Sequence, residues 1–179
     1  DEMLLKIMEN GSRRVAVHAE DEERLKDRFK FYNKYNDAGY HPIWRDPKSA
    51  LLATKRIMDI ANQANRPLHI LHISSALEMK LLQGKSSLIS VEVTPQHLTL
   101  NSPECYNKLG TFAQMNPPIR SKYHQKELWK GIKNGTVDVI GSDHAPHTIE
   151  EKQKVYPNSP SGMPGVQTML PLMLNEVSK

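Results

Sequence analysis

The sequence predicts an α/β protein built on a parallel sheet with helical crossovers. Three observations carry this expectation. Four short runs of apolar residues recur along the 179-residue chain, and each is followed by a helical pattern. The runs are apolar almost throughout, as strands covered by helices should be. Three of the four end on a histidine or an aspartate, His18, His72 and Asp143, at the position where parallel α/β folds place their chemistry.

The elements follow in order. Asp1 and Glu2 suit a helix N-terminus, where the helix dipole favours negative charge; Leu4, Leu5 and Met8 form its apolar stripe and Gly11 can stop it. "RVAVHAED" holds the first strand, expected over 15–18, and the polar stretch 20–45 reads as part helix and part loop. "RDPKSALLATKRIMDIANQAN" is the clearest helix: Asp46 caps it, Pro47 fits its first position, and Ala50, Leu51, Thr54, Ile57, Met58 and Ala61 share one face. The second strand is expected over 68–73. Ser75 to Glu78 forms a capping box for a helix that runs out near Gly84. The third strand is expected over 88–94. A helix then opens at Ser121, carries Leu128, Trp129 and Ile132, and closes at Asn134-Gly135. The fourth strand is expected over 137–142, and a last helix runs from about Val166 to Val177. The only internal repeat is this strand-helix unit, and 1–179 reads as a single domain.

Composition narrows the function classes. Lysine and arginine number 24 against 20 aspartates and glutamates. These charges are scattered, without the basic block or aromatic interleaving of a nucleic-acid footprint, so no nucleic-acid partner is expected. Cys105 is the only cysteine; it cannot form an intrachain disulfide, which fits a reducing, cytoplasmic setting. No apolar run approaches the roughly 20 residues of a membrane helix, so no membrane partner is expected. The opening "DEMLLKIMENG" lacks a basic n-region and a cleavage site, and it begins without Met inside a helical pattern.

Side chains alternate along a strand. Leu68, Ile70 and His72 share one side of the second strand, and Val139, Gly141 and Asp143 one side of the fourth. In a barrel these sides would face the axis, and His72 and Asp143 would converge there. Two imidazoles and a carboxylate are ligands that zinc accepts while leaving room for water. A metal so held makes a nucleophile near neutral pH, and a carboxylate beside it can shuttle a proton. Each residue also has a plain structural reading. His18 can hydrogen-bond a loop, Asp143 can cap the turn after it, and His144 and His147 can be solvated. His69, of opposite parity to His72, reads as a packed or surface histidine. Structural roles are favoured for Glu92 and His97. "AQMNPPIR" reads as a rigid connector in which Arg120 holds a carboxylate, and Gly162 and Gly165 allow close backbone approach. Cys105 has no base at useful spacing, and Met169, Leu170, Met173 and Leu174 read as core.

Several segments together resemble the amidohydrolase superfamily and, within it, the dihydroorotases. "VAVHAED" resembles that family's fifth barrel strand, "LHILHIS" its sixth and "VDVIGSDHAPH" its eighth; "VEVTPQHLTL", "MNPPIR" and "SGMPGVQTMLPLML" are similar in the same order. The likeness covers nearly the whole chain, and "DHAPH" is its most specific part. Gln96 departs from it, standing where many relatives carry a second histidine beside His97.

The resemblance implies a partial (β/α)8 TIM-type barrel with about four βα units. It implies zinc, one or two ions in the intact enzyme, with His18, His72 and Asp143 as metal ligands and Asp143 also as the catalytic base and then acid. Asn116, His147 and the Gly162 backbone are implied as substrate-binding. The implied reaction interconverts N-carbamoyl-L-aspartate and dihydroorotate, a small-molecule substrate of pyrimidine synthesis, in a homo-oligomer of the intact enzyme. Two alternatives stand beside it: a dihydropyrimidinase- or allantoinase-type amidase, and a metal-free relative acting as a scaffold. The family's first-strand His-x-His pair with its arginine has no counterpart here, nor has the bridging lysine or aspartate of the fourth strand. A whole barrel takes about 250 residues. The chain is therefore expected to be the C-terminal half of the barrel, without the first strands or any flanking β-domain. Alone it is expected to be inactive and, with open sheet edges, prone to associate.

Overall fold

The computed structural model describes residues 1–178. Helix α1 (Glu2–Glu9) leads into β1 (Val15–Val17), then α2 (Glu22–Tyr32), a 3-10 turn (Ala38–Tyr40), α3 (His41–Trp44) and α4 (Pro47–Gln63). After β2 (Leu68–Ile70) come α5 (Ala76–Leu82) and β3 (Ile89–Val93). Then follow α6 (Pro95–Thr99), α7 (Glu104–Leu109), a second 3-10 turn (Gly110–Ala113) and α8 (Lys122–Lys133). The chain closes with β4 (Val139–Ile140), α9 (Ile149–Lys152) and α10 (Met169–Val177).

The strands form one parallel sheet in the order β1-β2-β3-β4. Val15 stands opposite Leu68, Leu68 opposite Ile89, and Glu92 opposite Val139. Sequence neighbours are sheet neighbours, and every crossover carries at least one helix, the partial-barrel pattern expected. Local signals set the helix starts: Asp46 accepts from the Ser49 amide, Asp21 accepts from the Arg24 amide, and Ser75 and Glu78 close the expected capping box.

One sheet face is the core. Leu68, Ile70, Val91 and Val93 are fully buried against Ile57, Met58, Ala61, Met79, Leu82 and Leu128 of α4, α5 and α8. Burying a side chain of this size is worth about 1.5–3 kcal/mol, so this layer holds the sheet to its helices. The opposite face is polar: His69 bonds Ser90 Oγ (2.8 Å) and Glu92 (3.1 Å), and Arg14 reaches the same serine (3.0 Å). A second core cluster of Ala38, Cys105, Tyr106, Ala113, Met115, Ile119 and Tyr156 lies in the segments that follow β1, β3 and β4.

Two expectations need correction. The strands are shorter than the apolar runs, and beyond β2 and β4 the left-handed backbone of His72 (φ 36°) and Asp143 (φ 42°) bars any continuation of the strand. Leu68 and Ile70 face the helix layer, not a barrel axis, and simple alternation does not carry His72 to its place. The final helix begins at Met169 rather than near Val166. Its residues Leu170 and Leu174 are exposed and Met173 only partly buried, so that stripe is not the core expected of it among the described residues.

Candidate active site

The parallel register sets the C-terminal ends of all four strands at one edge of the sheet, and His18, His72 and Asp143 follow β1, β2 and β4 there. His18 follows the strand directly. The left-handed turn at His72 brings its Nε2 to 3.1 Å from His18 Nδ1, with the rings edge to face.

The far nitrogen of His18, Nε2, lies 2.9 Å from a carboxylate oxygen of Glu20. Glu20 is ion-paired with Arg45, whose main-chain carbonyl accepts from Arg120 Nη1 at 2.8 Å. Burial opposes the charge on Glu20, but the His18 hydrogen bond and the Arg45 guanidinium hold its pKa at about 2. A carboxylate at Nε2 fixes the proton there and leaves the Nδ1 lone pair turned toward His72. Burial, with the neighbouring His18 and His97, lowers His72 to about 3, so its ring is neutral and can donate a lone pair.

Asp143 stands apart from this pair. Among the described residues no three histidine, cysteine, aspartate or glutamate side chains come together as a metal-holding set. Asp143 still feels the same field: burial raises its pKa, the charge of Glu92 adds to the rise, and His18 opposes it. A carboxylate raised in this way is a stronger base than an ordinary one.

The two imidazoles fit a zinc ion through their facing nitrogens; His72 Nδ1, on the other side of its ring, is buried without a hydrogen-bond partner among the described residues. The facing nitrogens Nδ1 of His18 and Nε2 of His72 are borderline donors of the kind zinc takes, and Glu20 orients the first as a carboxylate does for metal-bound histidines.

Of the expected substrate-facing residues, His147 and Gly162 lie together. His147 Nε2 lies 3.3 Å from the Ser161 carbonyl, and its Nδ1 3.5 Å from Glu151. Gly162 packs so closely that a Cβ there would sit 2.5 Å from the Ala145 carbonyl and 3.0 Å from His147 Nε2. A Cβ at Gly165 would come within 2.2 Å of the Ser142 carbonyl, beside Asp143. Gly162 donates its amide to Gln114 at 2.9 Å, which ties this loop to the segment bearing Asn116. The Asn116 amide oxygen lies 3.0 Å from His41 Nε2, a partner 75 residues away that no spacing marks. His144 accepts from the Gly165 amide at 3.1 Å and holds the loop.

His97 donates to or accepts from Thr94 (2.8 Å) and lies 3.0 Å from the Pro117 carbonyl, a packing role as expected. Cys105 is buried, and burial lifts its thiol to about 11, which leaves it unreactive. Glu20 is the clearest functional candidate that sequence reasoning passed over. Its signal was present, since a carboxylate two residues beyond a strand-end histidine can reach that histidine's outer nitrogen.

No family model matches the chain. It is 36% identical over 160 residues to a dihydroorotase of Halobacterium salinarum, covering 89% of this chain and 36% of that protein. It is 37% identical over 166 residues to a dihydroorotase of Pyrococcus furiosus, covering 92% and 35%. The chain belongs with the dihydroorotases of the amidohydrolase superfamily. It spans little more than a third of the curated dihydroorotases it matches. Among solved structures, the L-hydantoinase (dihydropyrimidinase) from Arthrobacter aurescens superposes with a TM-score of 0.90 at 26% identity, over 99% of this chain and 42% of that one. The dihydropyrimidinase from Brevibacillus agri gives 0.87 at 26% identity, over 97% and 41%. The dihydroorotase kinship and these neighbours give the sheet its context as part of a TIM-type barrel.

Proposed function

We propose that the protein is a zinc-dependent cyclic amidohydrolase that interconverts N-carbamoyl-L-aspartate and dihydroorotate. One observation carries the reading: His18 Nδ1 and His72 Nε2 face each other at 3.1 Å while Glu20 holds the outer nitrogen of His18. A scaffold without metal has no use for an imidazole pair oriented in this way. In this reading His18 and His72 hold zinc, and Asp143 joins them in the intact enzyme. When bound, zinc supplies an activated water and polarises the scissile carbonyl. Asp143, with its raised pKa, takes a proton in the hydrolytic direction and returns it to the leaving nitrogen. His147, the Asn116 amide and the Gly162 backbone face the substrate, and a cationic or N–H group there selects its carboxylate. The lone buried Cys105 suits a cytoplasmic enzyme, and a homo-oligomer is the assembly we infer for it.

The test is an assay of the full-length protein in both directions, with allantoin and dihydrouracil as controls and with zinc measured. Turnover of dihydroorotate and carbamoyl aspartate above both controls is the expected result. Preference for a control moves the protein to the hydantoinase-like amidases, whose solved members share its fold. No turnover of any of them, with no zinc bound, returns the case to a scaffold.

A further inference from the structure

Lys152 closes α9, and it is buried, only 5% exposed. Its ammonium group donates to three main-chain carbonyls: Gln114 at 3.0 Å, Pro160 at 2.9 Å and Gly162 at 3.1 Å. Three hydrogens meet three acceptors, so the donor capacity of the group is fully used. Burial lowers its pKa to about 8, with no carboxylate contributing. An ammonium ion is costly to bury without a charged partner, and methionine would fill the same volume without that cost. The position therefore calls for donors rather than bulk.

The three acceptors belong to two separate segments. Gln114 lies two residues before Asn116, and Pro160 and Gly162 lie in the loop that packs on His147. The same segments are also joined by the Gly162 amide to the Gln114 carbonyl (2.9 Å) and by the Gln114 side chain to Ser159 (2.8 Å) and Ser161 (3.1 Å). The Lys152 carbonyl in turn accepts from Thr111 and Ser159. Every one of these contacts meets at Lys152 or at its first acceptor.

We propose that Lys152 is a positioning residue whose ammonium ion ties the Asn116 segment to the Gly162 loop and so fixes the spacing of the groups that receive the substrate. This rests on the reading of Asn116, His147 and Gly162 as substrate-facing. Lys152 itself touches no reacting atom; it acts through the two segments it joins.

Lys152→Met in the full-length protein keeps the stem and removes the donors. Amide exchange at Gly162 should quicken by about ten-fold or more. The KM for dihydroorotate should rise by about ten-fold or more, with kcat within about threefold and zinc content unchanged. Lys152→Arg, which keeps charge and donors, should recover part of the KM. Unchanged exchange at Gly162 overturns the proposal, and so does faster exchange with KM unmoved, which would make the contact structural only. Should the Met variant fail to fold, the wild type decides by nitrogen-15 NMR near pH 6, below the pKa of Lys152. Its ammonium hydrogens should exchange with water at least about ten-fold more slowly than those of exposed lysines, and equal rates overturn the clamp. Absence of cyclic-amide turnover in the wild type defeats the proposed reaction, whereas the two exchange measurements judge the clamp by themselves.

Discussion

His18 Nδ1 and His72 Nε2 stand 3.1 Å apart, and the opposite nitrogen of His18 is held at 2.9 Å by Glu20. The second contact gives the first its meaning. A histidine whose outer nitrogen is committed to a carboxylate presents its inner lone pair in one direction only. Glu20→Gln should therefore weaken zinc binding by about 10–100-fold, the usual effect of losing an outer partner of a metal-bound histidine. Metal titration of the full-length variant measures it. Wild-type affinity would mean that Glu20 serves Arg45 alone.

Asp143 carries the proton in this scheme. Its pKa is raised by burial and by Glu92, against the pull of His18. Asp143→Asn keeps the shape and removes the base. Turnover should fall by about 10²–10⁴-fold even where zinc is retained, which parallel assays of rate and metal content can separate. Near-normal turnover removes Asp143 from proton transfer.

Acid should destabilise the fold through two further buried histidines. His41 and His97 are buried, and burial first, with Arg45 or Arg120 nearby, lowers each to about 4 from an ordinary 6.5. The unfolded chain binds the proton more readily. Stability from these groups is therefore complete above about pH 6.5 and is lost as the pH falls toward 4. Each histidine contributes roughly 1.4 kcal/mol per pH unit inside that window. Urea unfolding at pH 7 and pH 5 should differ by about 2 kcal/mol per histidine. A flat profile would mean that the two rings protonate freely in the folded state.

The fold was legible where one kind of residue recurs at short range. Apolar runs located all four strands, and Asp46-Pro47 and Ser75-Glu78 located two helix starts. The strand ends were not legible, because His72 and Asp143 turn left-handed, and although histidine and aspartate enter that region more readily than most residues, few of them do. The site was legible in part for the same reason. His18 and His72 stand out as strand-end histidines, but the contacts that orient the site join distant positions: Glu20 to Arg45, His41 to Asn116, Arg120 to the carbonyl of Arg45. Lys152 is the extreme case, since all its acceptors are main-chain carbonyls, which any residue supplies and no pattern marks.

In the proposed reaction His147 gives a reason for the acid and histidines that follow the fourth strand. Three residues separate it from Asp143, and Pro146 stiffens the backbone just before it. The imidazole is held between the Ser161 carbonyl at 3.3 Å and Glu151 at 3.5 Å, against Gly162. Both contacts are long, so a substrate carboxylate can displace the first without breaking a strong bond. Asp143 would then work on the scissile amide while His147 meets the distant carboxylate. His147→Ala should leave zinc content near wild type and lower kcat/KM by roughly ten- to a hundred-fold, since a hydrogen bond to a charged group is worth about 1.5–3 kcal/mol. The loss should appear in KM, and it should shrink for a cyclic amide that lacks the carboxylate, such as dihydrouracil. Loss of metal in this variant would make His147 a ligand and end the division of labour between the two ends of the loop. No loss at all would leave His147 as a loop histidine, held by Ser161 and Glu151 and nothing more.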